Sequence, residues 1–139
     1  MRLTLPFAAL LCLPQMLLAQ TDLAPRTGPL TGTQFETYAT GKTLTYARGG
    51  LIWGTEQYLP GRVVVWAFTE DICQRGYWYE EGEEICFVYE LESDAQCWLF
   101  YLHSGSLMAQ HRDDADGLPL SEVAQSDGPM PCAGPDVGV

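Results

Sequence analysis

The chain has 139 residues, 47% of them hydrophobic, with 18 acidic side chains against 7 basic ones and a formal net charge of -11. This composition is typical of one small domain and excludes a fibrous or wholly disordered protein. Binding to a phosphate backbone needs clustered basic residues. Lys42 is the only lysine of the chain, so the charge balance excludes nucleic acid as a partner.

The first 19 residues have the pattern of a secretory signal peptide. Arg2 precedes an apolar run from Leu5 to Leu18, and the small Ala19 is followed by the polar Gln20. A membrane-spanning helix needs about 20 apolar residues with few interruptions, and this run is shorter. We therefore expect a signal peptide over 1–19, a periplasmic or secreted protein, and no membrane span after its removal.

Gly and Pro divide the remaining chain into a leader, one domain and a tail. Residues 20–30 contain two prolines and a glycine without apolar periodicity, which predicts a flexible leader. Residues 31–123 are expected to form a single domain. Residues 124–139 are too rich in Gly and Pro for a regular element, so we expect a tail that a disulfide ties down.

A short helix is predicted at about 32–40. Thr31 or Thr33 can cap its first turn, and Gly41 can end it. Phe35 and Tyr38 lie three residues apart and share one face. Because a helix this short is marginal in water, we expect that face to pack against a larger unit.

After Lys42 the pattern changes to that of short strands separated by turn residues. Seven or eight strands in close succession predict a mainly β protein, an antiparallel meander with no room for parallel units. The candidate strands are 43–48, 51–58, 62–68, 76–80, 84–90, 97–103, 107–111 and 118–123.

The hairpin turns suggest which side chains lie opposite one another. A turn at Glu81-Gly82 places Trp78 opposite Ile85, and a turn between Leu91 and Glu92 places Ile85 opposite Trp98 and Cys86 opposite Cys97. Side chains alternate between the two faces of a strand, and here both faces come out apolar. We therefore expect a sheet curled into a small barrel or cup, with the helix and the tail covering part of the outside.

Five cysteines become four when the signal peptide and its Cys12 are removed. Opposed residues of an antiparallel pair lie at a distance that a disulfide tolerates, so Cys86 is predicted to pair with Cys97. This leaves Cys73 to hold Cys132 in the tail. An even set of cysteines without paired CxxC spacing indicates two disulfides of an oxidising compartment rather than a metal site.

No set of residues in the chain has a recognisable catalytic, metal or phosphate-binding pattern. The acidic residues around Gly82 are expected to form a solvated turn, and 113–117 does not fit the spacing of a calcium loop. His103 and His111 do not converge as zinc ligands. We therefore expect no enzyme, no cofactor and no metal.

Two groups of aromatic residues are the candidates for binding. The first is a pocket or core of Trp78, Ile85, Phe87, Trp98 and Phe100, which a curled sheet can arrange around one small apolar ligand. The second is a candidate interaction face of Tyr77, Tyr79 and Tyr101 on the other side of the sheet. A carrier is expected to have an enclosed cavity flanked by Trp78 and Trp98, and a protein-binding module a filled interior.

Several segments resemble a group of small proteins exported to the periplasm of alphaproteobacteria. The similarity lies in TGTQFETYATGKTLTY, GTEQYLPGRVVVWAF, CQRGYWYEEGEEICFVYE, QCW and the closing CAGPDVGV. The group shares a short helix and a β-meander with cysteine-containing hairpins and has no assigned activity. The resemblance implies compartment and lineage and transfers no site residues.

Two weaker likenesses suggest alternative functions. Gly76-Tyr77-Trp78 is similar to the Gly-x-Trp of lipocalins, and the size, export and disulfides resemble those of barrel-shaped inhibitors of secreted metalloproteases. We expect a non-catalytic binding or interaction module whose partner is a protein or a small apolar ligand. The alternatives are a lipocalin-like carrier and a secreted-protease inhibitor.

Overall fold

The computed structural model describes residues 28–69 and 72–132, and they form one helix and eight strands. The predicted signal peptide, and the leader up to residue 27, lie outside the described residues. The elements are α1 (Gly32–Ala39), β1 (Thr43–Arg48), β2 (Leu51–Leu59), β3 (Val63–Thr69), β4 (Ile72–Glu81), β5 (Glu84–Tyr89), β6 (Gln96–His103), β7 (Ser106–His111) and β8 (Leu120–Ser126).

The strands close into an up-and-down barrel. Each strand pairs antiparallel with the next one in the chain, and β1 pairs with β8 from Thr43 opposite Ser126 to Arg48 opposite Leu120. The predicted mainly β meander is confirmed. Within the described residues, every strand therefore has a paired neighbour on both sides. Closure also gives the sheet an inner face, which holds the main core, and an outer face.

The predicted strand positions hold for most of the chain, with two differences. Strand β4 begins at Ile72 rather than at residue 76. Cys73 pairs with Ala67 of β3, and Gln74 pairs with Trp66. Strand β8 covers Leu120–Ser126 rather than 118–123, so regular structure extends three residues into the segment predicted to be tail.

The β4–β5 register differs from the predicted one by two residues. Trp78 lies opposite Phe87, not Ile85, because the turn consists of Gly82 and Glu83 instead of Glu81 and Gly82. Gly82 has a φ of +63°. A glycine with positive φ at the first central position is typical of a type II′ hairpin turn. The β5–β6 register, with Ile85 opposite Trp98, is the predicted one.

Helix α1 closes one end of the barrel instead of covering its outside, which corrects the expected position. Phe35 is fully buried, and its ring centroid lies 5.1 Å from that of Trp78 and 4.5 Å from that of Phe100. Both partners point into the barrel, so the helix inserts Phe35 between the strand ends. Leu30 is also buried, and its N–H donates to Phe100 O. The end of the predicted flexible leader therefore packs in the core.

The ends of α1 have the expected caps. Thr31 Oγ1 accepts from Gln34 N–H, and Gln34 Oε1 accepts from Thr31 N–H, which completes a capping box. Tyr38, on the same face as Phe35, donates to Glu122 Oε2 of β8 over 2.7 Å. The ion pair between Glu36 and Arg62 adds a second polar contact to the apolar one made by Phe35.

The described part of the tail, which reaches residue 132, packs on the outside of the barrel, as expected. Met130 is buried against Val65 and Ala67 of β3, next to the half-buried Cys73 and Cys132. The outer face of β3 is apolar for this reason. The core thus has a main part inside the barrel and a smaller part under the tail.

Candidate functional site

The barrel contains a cavity of about 140 Å³ in the half that α1 does not fill. Because consecutive strands run in opposite directions, the connections β1–β2, β3–β4, β5–β6 and β7–β8 all lie at the end opposite the helix. The cavity is partly open to solvent. Its lining consists of Tyr46, Trp53, Glu56, Tyr58, Trp66, Phe68, Phe87, Tyr89, Glu92, Gln96, Trp98, Phe100, Ala109 and Leu120.

Aromatic rings from several strands form most of the cavity wall. Phe87 and Tyr89 lie nearly parallel, with ring centroids 6.1 Å apart, and Trp66 meets Phe68 edge to face at 5.2 Å. The Trp66 ring lies across Gly54 of β2, where a Cβ atom would collide with it. Glycine at position 54 therefore lets the indole lie flat against the barrel wall. Such a wall suits a planar apolar group.

One carboxyl group, that of Glu56, lies deep in this aromatic wall. Glu56 is 3% exposed and lies on the inner face of β2, opposite Trp66 of β3. Its Oε2 accepts from the hydroxyl of Tyr58 over 2.9 Å, and its Oε1 from the hydroxyl of Tyr89 over 2.7 Å. The hydroxyls of Tyr46 and Tyr58 are 2.8 Å apart. Four polar groups from β1, β2 and β5 thus form one buried network.

Burial changes the acidity of every member of this network. Removal from water raises the pKa of Glu56 to about 7, although the hydrogen bonds from Tyr89 and Tyr58 act in the opposite direction. Burial likewise raises the pKa of Tyr46, Tyr58 and Tyr89 well above the ordinary tyrosine value. The tyrosines therefore stay protonated, while Glu56 changes charge near neutral pH.

The guanidinium of Arg48 lies near two tryptophans that line the cavity. Its guanidinium carbon lies 4.7 Å from the ring centroid of Trp53 on β2 and 6.0 Å from that of Trp98 on β6. Strand β6 is three strands away from β1 around the barrel, so Arg48 contacts rings from well-separated strands. The Nε of Arg48 is buried and has no hydrogen-bond partner in the part of the chain that the structure describes. The contacts that the structure gives to this guanidinium are thus those with the two tryptophan rings.

The mouth also carries polar side chains from the strands around it. Glu92 Oε1 accepts from Gln74 Nε2 over 3.1 Å, and Gln96 Oε1 lies 3.3 Å from His111 Nε2. The ring of His111 meets that of Trp98 edge to face at 4.7 Å. These contacts hold the polar groups against the rim of the barrel.

Exposed apolar side chains surround the same end. Seven of the ten most exposed large hydrophobic residues of the described chain lie at its strand ends and connections, namely Leu51, Ile52, Trp53, Phe68, Ile72, Leu91 and Leu118. Scattered apolar residues are normal on a protein surface, but a group around an opening is typical of a binding site. The open end is thus apolar around its mouth and aromatic inside.

The candidate pocket residues are divided between the cavity and the solid core. Phe87, Trp98 and Phe100 line the cavity. Trp78 packs against Phe35 instead, and Ile85 is fully buried in the core. The expected enclosed cavity between Trp78 and Trp98 is therefore wrong. Phe35 fills the space beside Trp78, and the space beside Trp98 opens to solvent.

The three candidate interface tyrosines lie on the outer face of the barrel. Tyr77 is 53% exposed, and Tyr79 and Tyr101 are half-buried. Tyr79 lies opposite Cys86, and Tyr101 lies opposite Met108. The structure therefore places these tyrosines on the side of the sheet away from the cavity.

The disulfides join Cys86 to Cys97, the pair expected from the hairpin register, and Cys73 to Cys132, the pair expected from the two remaining cysteines. Glu81 and Glu84 lie near the first pair and form ion pairs with Arg112. The hydrogen bond from Arg112 lowers the pKa of Glu84. Sulfur atoms in a disulfide cannot act as thiolate ligands, and the two carboxylates already have a cation. This cluster is therefore structural.

Sequence reasoning missed Glu56, the most buried carboxyl group of the cavity. A signal was present, because Gly54, Glu56 and Tyr58 alternate along one face of β2 and Tyr58 belongs to the core. A glutamate in phase with core residues indicates a buried, hydrogen-bonded acid. The tyrosines that satisfy it come from β1, β2 and β5, so their convergence depends on barrel closure.

Comparison of the chain with protein-family models, with curated proteins and with solved structures found no match. Within residues 28–69 and 72–132, no helix has the length and apolar character needed to cross a bilayer.

Proposed function

We propose that this protein is a non-catalytic binding protein that holds one small planar ring in the open-ended cavity of its barrel. The observation that carries the proposal is the aromatic cavity of about 140 Å³. A cavity of about 150 Å³ in another protein is large enough to bind benzene. Eight-stranded barrels have room for one small ligand among their interior side chains.

The two halves of the barrel support a carrier rather than an interaction module with a filled interior. Phe35 makes the helix end solid, and the other end keeps both a cavity and an apolar rim. A ligand that enters at the rim passes Trp53 and Trp98 and reaches the ring of Phe87.

We also propose that the protein acts in the periplasm or outside the cell. Two disulfides staple the described chain, and disulfides persist in oxidising compartments. The apolar stretch before residue 19 is the expected export signal.

Titration with toluene tests the cavity directly. We expect saturable binding, detected as shifts of the indole N–H resonances of Trp66 and Trp98 in nuclear magnetic resonance spectra. Ala109 lines the cavity from β7, so Ala109→Leu fills the space and should abolish binding. Ala124→Leu, at an exposed position of β8, is the matched control and should bind as the wild type does.

Two outcomes would contradict the proposal. One is the absence of saturable toluene binding to the wild type. The other is an Ala109→Leu variant that is folded by circular dichroism and binds toluene as tightly as the Ala124→Leu control.

A further inference from the structure

We infer that the natural ligand carries an alkylamine substituent on its ring and that this amine binds the carboxylate of Glu56. The inference rests on the proposed function, because it names the ligand chemistry of the same cavity. Glu56 is the acidic group in the deep lining, and Trp66, Phe87 and Phe100 provide the surface for the ring.

The hydrogens of the tyrosine network all point toward Glu56. An ionised carboxylate can only accept, so Tyr58 and Tyr89 each donate to it. A hydroxyl has a single hydrogen, and that of Tyr58 is already used. Tyr46 must therefore donate to the oxygen of Tyr58. The order of donation is Tyr46 to Tyr58 to Glu56, with Tyr89 on the other carboxylate oxygen.

This order leaves the network with acceptors and no spare donor. Each oxygen of Glu56 takes one tyrosine hydrogen and retains capacity for another. A ligand with an N–H donor can form a hydrogen bond with one of these remaining acceptor positions. A ligand with only acceptors, such as a carboxylate, meets lone pairs and a negative charge. The geometry therefore selects for donors.

The charge of Glu56 has no counter-ion among the described residues. Their ion pairs join Arg62 to Glu36, and Arg112 to Glu81 and Glu84. A buried carboxylate without a cation is unstable relative to a paired one. An ammonium group on the ligand supplies the missing positive charge, and a charge-assisted hydrogen bond is about twice as strong as a neutral one.

The groups that contact Glu56 are neutral, and two further carboxylates add negative charge near the cavity. Tyr46 of β1, Tyr58 of β2 and Tyr89 of β5 contact the network and are neutral, because burial raises their pKa. Glu92 lines the same cavity, and Glu122 of β8 acts on Tyr46 with the same sign of charge. The cation Arg48 lies against Trp53 and Trp98 and forms no ion pair with Glu56.

Three probes that share one ring test the inference on the wild-type protein. These are benzylamine, toluene and benzoate, titrated at pH 8 by nuclear magnetic resonance. A hydrogen bond to a charged group makes benzylamine bind at least about tenfold more tightly than toluene. Benzoate should bind more weakly than toluene. Lowering the pH to 5 protonates Glu56 and should reduce the preference for benzylamine.

Two matched variants assign the preference to one side chain. Glu56→Gln removes the negative charge in the cavity and should bring benzylamine affinity to within about threefold of toluene affinity, since the charge-assisted bond is lost. Glu83→Gln makes the same change at an exposed position of the β4–β5 turn, at the helix end of the barrel. This control should keep the wild-type preference.

The outcomes separate the inference from the proposed function. Saturable toluene binding without a preference for benzylamine, or tight benzoate binding, overturns the amine inference and leaves the cavity proposal standing. A preference that persists in Glu56→Gln also overturns it. Failure of all three probes to bind the wild type contradicts the proposed function itself.

Discussion

The buried carboxyl of Glu56 should make the stability of the unliganded protein depend on pH. Burial raises the pKa of Glu56 to about 7 in the folded state, against an ordinary value of 4.5 when the chain is unfolded. Between these values the folded protein binds a proton that the unfolded chain has lost, so stability falls as pH rises. The loss reaches about 3 kcal/mol by pH 7 and changes little above it. Urea unfolding at pH 5, 6, 7 and 8 measures it.

Two variants isolate this contribution. The amide in Glu56→Gln does not titrate. The wild type should therefore lose unfolding free energy relative to this variant as the pH rises from 5 to 7. Glu83→Gln, at an exposed position of the β4–β5 turn, retains Glu56 and should keep the wild-type slope. An identical slope in the Glu56→Gln variant would show that another group controls the pH dependence.

Single residues also show how far the sequence alone predicts this site. Phe87, Trp98 and Phe100 are identified as inward-facing by strand alternation alone, and all three line the cavity. The role of Glu56 depends on Tyr89, which is 33 positions away in the chain. Spacing along the sequence contains no information on that contact, because the closure of the barrel creates it.

At the scale of elements, hairpin turns determine the registers. The β6–β7 register, with Leu102 opposite Leu107, follows from the short turn at Ser104-Gly105, and β5–β6 is also as predicted. The β4–β5 error is two residues, an even number. An even shift keeps every side chain on its face, whereas a shift of one would exchange the faces. The inner and outer faces were therefore assigned correctly despite the wrong partner for Trp78.

The position of α1 could not be predicted in the same way. The spacing of Phe35 and Tyr38 indicates a buried face, but an outer groove and an open barrel end offer equivalent apolar surfaces. What decides the position is the space among Tyr58, Trp78 and Phe100, which the ring of Phe35 fills. That space exists only after the strands have closed.

Removing the Phe35 ring should destabilise the protein strongly. Phe35→Ala deletes a fully buried ring that touches four other rings, and such substitutions cost about 3–5 kcal/mol. Thr33→Ala, at an exposed position of the same helix, controls for a change in helix propensity and should cost far less. Urea unfolding of both variants measures the difference. A cost below 1 kcal/mol for Phe35→Ala would contradict the packing of α1 in the barrel end.

For the molecule as a whole, the two ends of the barrel have different roles. One end is filled by α1 and held by the hydrogen bond from Tyr38 to Glu122. The other end keeps a cavity, a buried acid and an apolar rim. A small domain buries a limited core, and leaving part of the lumen empty reduces its stability further. The two disulfides are therefore important for the stability of a barrel that contains a cavity.

The two disulfides should contribute unequally to stability. The Cys73–Cys132 link joins residues 59 positions apart, and the Cys86–Cys97 link joins residues 11 apart. The longer loop restricts the unfolded chain more, which gives about 4 kcal/mol against about 3 kcal/mol in the chain-entropy model. The longer link also holds Met130 over Val65 and Ala67. The double variant Cys73→Ala with Cys132→Ala should therefore lower the urea midpoint more than Cys86→Ala with Cys97→Ala. The reverse order would show that packing around Cys86 on the outer face of the barrel, rather than loop closure, dominates the effect of the disulfides.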